Sequence, residues 1–202
     1  MRLPQITSWA FLFAGAVLAH QLIAPQTAEP SIAAPRAAAQ EERQAAQKIR
    51  RRAAVITRAG LVVPVANVTA GGLTDTWGAA RSEGRTHEGI DIMAPMGAPV
   101  RAAADGRIVK FFDSVRGGIT IYQFDTSERF VYYYAHLSRR APGLAEGAVV
   151  RQGEVIGYVG SSGNAPVPHL HFEIQRLTPE RRWWEADSIN PYPLLVAGRA
   201  PN

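Results

Sequence analysis

The 202-residue sequence predicts an all-β domain, an antiparallel two-sheet sandwich or open barrel, set behind a leader and a short spacer. Three observations carry that expectation. From Gly60 onward, short runs rich in Val, Ile, Phe and Tyr recur, each broken by Gly or Pro. Turn signals separate them: Asp105-Gly106, Gly117-Gly118, Glu146-Gly147, Gln152-Gly153 and Gly163-Asn164. Strand runs at this spacing favour a sandwich or barrel over a parallel α/β sheet.

The elements follow in chain order. Residues 1–24 read as a signal peptide or membrane anchor. Arg2 precedes the apolar run from Trp9 to Ala19, and no charged residue occurs between Arg2 and Glu29. The dense apolar part is about ten residues, nearer a signal-peptide core than a membrane span of roughly 20. Val17-Leu18-Ala19 supplies small residues for cleavage before His20; retention as an anchor is the alternative. Residues 25–36 are rich in Pro, Ala, Ser and Thr and read as linker. Residues 37–58 lack Gly and Pro and read as helix, with Glu41 and Glu42 near the start and Lys48, Arg50, Arg51 and Arg52 near the end. Its apolar positions are mostly Ala, so it reads as a solvated spacer; linker and spacer together cover 25–59.

The domain itself is expected over residues 60–195, with 196–202 as a tail. Strands are expected at 99–103, 106–112, 118–124, 129–136, 154–159 and 169–174. The stretch from Arg176 onward is expected to wrap back over the sheets, with Trp183 and Trp184 packing rather than binding sugar.

Charge narrows the function classes. The whole +5 excess lies in residues 1–58, with eight basic and three acidic residues; the remainder holds fourteen of each. A charge-balanced domain does not fit a nucleic-acid-binding surface. The basic end of the spacer, if retained after export, would favour anionic lipid or wall polymer. The sequence has no Cys, which removes disulfides and thiolate metal sites. A metal would have to be held by imidazole and carboxylate.

There are five His, and four fall in the β domain: His87, His136, His169 and His171. His169 and His171 are two apart on an expected strand, so they face one side, with Leu170 and Phe172 on the other. The same rule puts Tyr132, Tyr134 and His136 on one face of a neighbouring strand. His87 and Asp91 can converge where a loop enters a strand, with Gly89 easing the bend. Two His and one Asp suit a catalytic zinc site, leaving two His as acid, base or oxyanion stabiliser. Strand parity alone leaves open which of His169 and His171 would bind metal. An H-E-x-x-H helix does not fit, because Asp91 stands where the second His would be and Gly89 interrupts it. Gly160-Ser-Ser-Gly163 misses the G-x-S-x-G spacing of a serine hydrolase. A histidine phosphocarrier would need neither Asp91 nor export.

Together, Gly84-Arg-Thr-His87-Glu-Gly-Ile-Asp91, Ala94-Pro-Met-Gly-Ala-Pro-Val100, Tyr134-Ala-His136-Leu137, Gly157-Tyr-Val-Gly160-Ser-Ser-Gly163 and Pro168-His169-Leu-His171-Phe-Glu173 resemble the lysostaphin-type (LytM-like) zinc metallopeptidases. The resemblance runs over residues 61–191. It implies a LytM-like duplicated-hybrid-motif fold with a substrate groove. It implies one zinc per chain held by His87, Asp91 and His171, with His136 and His169 as the catalytic histidines. It further implies hydrolysis of peptide bonds in bacterial peptidoglycan, with wall peptides and not nucleic acid as partners. The expected setting is the periplasm or cell envelope, with or without attachment to the inner membrane through residues 1–24, and the expected state is a monomer. Relatives of this type that have lost ligands act as non-catalytic activators of wall amidases, the alternative reading; here every ligand position is filled.

Overall fold

A computed structural model describes residues 60–201, together with Gln40, Arg43 and Gln44. All of these but Gln40 belong to the compact unit Glu41–Asn202. The expected leader with His20, the linker and all but those three residues of the spacer lie outside the described residues. The three spacer residues are helical and exposed. Among the described residues, no helix is long and apolar enough to cross a membrane.

Nine strands and a short helix are found among the described residues: β1 (Ile90–Met93), β2 (Pro99–Arg101), β3 (Gly106–Ser114), β4 (Gly118–Asp125), β5 (Phe130–Arg140), β6 (Val149–Val150), β7 (Val155–Val159), β8 (His169–Leu177), β9 (Ala186–Ile189) and α1 (Tyr192–Ala197). The six expected runs correspond to β2, β3, β4, β5, β7 and β8, with β5 continuing to Arg140. Asp91 stands in β1, where a loop was expected to enter a strand, whereas β6, β9 and α1 were not expected. β6 is two residues long and β9 is Ala-Asp-Ser-Ile, so neither carries a period to read.

All strand pairs are antiparallel, and the strands join one open network in the order β1-β8-β5-β4-β3-β6, with β9 on β8 and β2 on β7. The all-β, antiparallel and open architecture is as expected, and its two branches divide at β5, a long strand shared by both. Residues 130–135 pair with β8, whereas residues from Leu137 to Arg140 pair with β7. At the fork stands His136, with φ 60°. One extra residue of β5 is accommodated here against β4, between the pairs Tyr134–Ile121 and Leu137–Ile119. This is a bulge, which bends the strand and re-aims a side chain.

The core lies on one side of β1, β8 and β5. Ile90, Ile92, Leu170, Phe172 and Ile174 alternate with polar residues and are buried, each contributing about 1.5–3 kcal/mol of transfer free energy. Tyr132 and Tyr134 share that apolar side. The Tyr134 hydroxyl donates to Gln123 Oε1 at 2.8 Å and accepts from the Ala103 N–H at 2.9 Å, so its burial leaves no polar atom unsatisfied. The β4–β5 turn is held by Asp125, whose carboxylate accepts from the N–H groups of Ser127, Arg129 and Phe130. The C-terminal stretch returns to the sheet, with Trp183 packed on Phe112 of β3 and Tyr122 of β4. Its β9 extends the sheet beside β8, and α1 places Leu195 in the core before Gly198, at φ 59°, ends the helix.

Candidate metal centre

The register of β1 on β8 sets the centre. Asp91 lies directly opposite His171, and Ala135 of β5 lies opposite His171 on its other side. Directly paired residues share a face, so Asp91, His171 and Ala135 form a row, and the small Ala135 leaves room above it. His87 arrives from the loop before β1. Gly89 permits the approach for a different reason from the expected bend. A Cβ there would meet Phe172 O at 2.5 Å, Glu173 Cγ at 2.8 Å and His171 Cε1 at 3.0 Å.

Three donor atoms converge. His87 Nε2 lies 2.8 Å from His171 Nδ1, and Asp91 Oδ1 lies 3.1 Å from each. Zinc with tetrahedral bonds near 2.05 Å separates its ligands by roughly 3.3 Å, so outward shifts of a few tenths of an ångström would suffice. The outer ring nitrogens are already committed. His87 Nδ1–H donates to Thr76 O at 2.7 Å, and His171 Nε2–H donates to Glu173 Oε1 at 2.7 Å. Both inner nitrogens therefore present lone pairs to each other and to a carboxylate, a set that calls for a shared cation or proton. Thr76 also accepts the Asp91 N–H through Oγ1 at 3.0 Å, and Arg81 pairs with Asp91 Oδ2, leaving Oδ1 to face the imidazoles.

Electrostatics agree with a cation site. Burial raises the Asp91 carboxyl, but hydrogen bonds and charge from His171 and His87 outweigh it and hold it far below the usual carboxylate range. Burial lowers His171, yet the hydrogen bonds to Asp91 and Glu173 prevail and push it up to about 9. In the metal-free protein that proton occupies the cluster, and metal must displace it.

The remaining two histidines stand beside the donor set. His136 Nδ1–H donates to Ser162 O at 2.9 Å, and His169 Nδ1–H donates to Val167 O at 2.9 Å. Each keeps Nε2 for other work. Their rings lie 4.8 Å apart by centroid, and His169 Nε2 is 3.5 Å from Asp91 Oδ1. Burial, only partly offset by the Ser162 carbonyl, brings His136 down to about 4, so it is neutral at neutral pH.

Residues 85–191 match the family described as Peptidase family M23, more than half of the sequence. The chain belongs to this family. Over 131 residues the M23 chain is 38% identical to the L-Ala--D-Glu endopeptidase of Bacillus subtilis (strain 168), covering 60% of this chain and 39% of that protein. Over 93 residues it is 50% identical to the DD-carboxypeptidase/endopeptidase Mpg of Neisseria meningitidis serogroup B, covering 44% of this chain and 20% of that one. The chain thus spans well under half the length of these two curated relatives. Among solved structures, the catalytic domain of lysostaphin from Staphylococcus simulans superposes with a TM-score of 0.53 at 28% identity, covering 62% of this chain and 94% of that one. M23 peptidases are zinc enzymes, and a His–Asp–His group suits that ion.

In this M23 domain, all five residues singled out from sequence line one cleft of about 370 Å³. His136 reaches the cleft as expected, but not by strand alternation. Strict alternation would put His136 with Tyr132 and Tyr134, which are core residues rather than groove residues. The bulge at φ 60° turns His136 to the other side. Tyr133 lines the cleft instead, its ring 5.9 Å from His171 by centroid. Sequence reasoning assigned no role to Thr76, Arg81, Tyr133 or Glu173. Glu173 was within reach: it is two residues beyond His171 on the same strand face. Thr76 and Arg81 lie on a loop whose return no periodicity reveals.

Proposed function

We propose that this domain is a zinc-dependent endopeptidase that hydrolyses peptide bonds of bacterial peptidoglycan. One observation carries the reading: an oriented His87–Asp91–His171 donor set with a second pair of histidines beside it, each holding one nitrogen in reserve. Structural zinc takes four protein ligands, whereas three leave a position for chemistry. Zinc held by His87, Asp91 and His171 supplies Lewis acidity, polarising a peptide carbonyl and acidifying water at neutral pH. Neutral His136 accepts the proton of the attacking water at Nε2, its ring fixed by Ser162 O. His169, fixed by Val167 O, stabilises the developing oxyanion when protonated and passes a proton to the leaving amine. Tyr133 and Met93 wall the cleft in which the peptide lies.

The wall polymer as substrate is supported by the M23 relatives, among them an L-Ala--D-Glu endopeptidase and a DD-carboxypeptidase/endopeptidase. Residues 1–24 would export the chain to the envelope. Digestion of purified crosslinked peptidoglycan with and without a chelator, with products read by mass, tests the proposal. Chelator-sensitive release of peptides identifies the bond; bound zinc with intact peptidoglycan would refute the enzymatic reading.

A further inference from the structure

A second cleft adjoins the metal cleft and shares Thr86, His87 and Glu88 with it. Its walls are aromatic. Trp183 and Trp184 stand in the loop between β8 and β9, Phe112 and Tyr122 project from β3 and β4, and Trp77 faces them from the loop before β1. The Trp183 ring lies 4.6 Å from Tyr122 and 5.7 Å from Phe112 by centroid. Trp183 thus packs as expected, but Trp184 does not: it is 64% exposed, edge-on to Trp183 at 5.3 Å. Phe112 is 44% exposed. A single exposed aromatic is ordinary, but several lining one cleft are not.

The lining identifies the occupant. No Leu, Ile, Val or Met lines the cleft, so its apolar surface is made of flat ring faces and Ala186. Beside His87, its polar fringe is Thr86, Glu88, Gln175, Asp187 and Ser188. Flat indole and phenyl faces beside carboxylate, amide and hydroxyl groups match a pyranose ring. Such a ring offers weakly positive C–H groups to the negative face of an aromatic and hydroxyls to the polar rim. We propose that this cleft is a carbohydrate platform, holding an N-acetylated amino sugar of the glycan while the attached peptide lies in the metal cleft. The inference rests on the peptidoglycan reading above and extends it to a second part of the same polymer.

The test separates the two. Oligomers of N-acetylglucosamine, which carry no peptide, are titrated into the full chain in chelator while tryptophan fluorescence is followed. Saturable quenching is expected, because the platform needs no metal. Trp184→Ala should weaken it about fivefold and Trp184→Phe should largely restore it. Cleavage of free peptides should be unchanged in Trp184→Ala, whereas cleavage of intact peptidoglycan should lose efficiency through KM. Absence of quenching by the sugar, equal binding by Trp184→Ala, or quenching by wall peptide alone would overturn the platform. A dimer in sedimentation that Trp184→Ala dissolves would also overturn it, because a second chain would then be the occupant. Sugar binding without any peptide cleavage would support the platform while refuting the enzymatic reading.

Discussion

His169 and His171 are two residues apart on one strand face, yet their surroundings separate their roles. His171 Nδ1 meets Asp91 Oδ1 at 3.1 Å and its far nitrogen is locked to Glu173, whereas His169 is anchored by a backbone carbonyl and stands 3.5 Å from the same carboxylate oxygen. His171→Ala should therefore abolish stoichiometric zinc. His169→Ala should keep zinc and lose about 10²–10⁴ in cleavage rate. Metal analysis beside a peptidoglycan digestion assay checks both, and loss of zinc from His169→Ala would exchange the roles. His136 leads to a pH prediction. Its folded pKa is about 4 against an ordinary value of 6.5, burial being the main cause. Below pH 6.5 the unfolded chain takes up a proton that the folded chain refuses, so this contribution is full above 6.5 and is lost as pH falls toward 4. Urea unfolding of chelated protein at about pH 7 and about pH 5 should show a smaller acid loss in His136→Gln than in the unsubstituted chain.

At the level of elements, β8 is the organiser, since it carries both histidines and Glu173 and pairs with β1, β5 and β9. Glu173→Gln keeps the shape but weakens the acceptor that orients His171. Zinc affinity should drop about 10–100-fold with far-UV circular dichroism unchanged, as competition with a fluorescent chelator would show. Gly89→Ala should do more harm, because its Cβ would meet the Phe172 carbonyl at 2.5 Å and backbone cannot swing aside. A loss of about 2–3 kcal/mol is expected in denaturant unfolding, together with weakened metal binding, as β1 is pushed from β8. These elements also show what was legible beforehand. The alternation Leu170, Phe172, Ile174 against His169, His171, Glu173 is a period-2 signal, and β8 was readable from it. The bulge in β5 was not, because nothing in Tyr134-Ala-His136 marks a residue at φ 60°. The forked sheet was hidden for the same reason, since it depends on where β5 changes partner. Trp184 escaped too, because composition does not separate an aromatic that packs from one that is displayed.

For the whole molecule, metal and fold should be thermodynamically linked. The donor set comes from the loop before β1, from β1 and from β8, so its geometry exists only when the sheet is assembled. A ligand that binds the folded state alone stabilises it by RT ln(1 + [L]/Kd), about 4 kcal/mol at a thousandfold excess over Kd. For a domain of this size, 1 kcal/mol moves Tm by roughly 2–4 °C, so stripping the metal should lower Tm on the order of 10 °C. The shift should grow with free zinc and reverse when chelator is withdrawn. Asp91→Asn supplies the control. It keeps the size of the side chain but removes the charge that opposes the cation and pairs with Arg81, so its Tm should barely respond to zinc. Calorimetry of both proteins across a zinc series decides the matter. A parallel response would mean that the ion binds elsewhere. A response confined to the unsubstituted chain would tie the ion to the three residues that the sheet brings together, whether or not any wall peptide is cut.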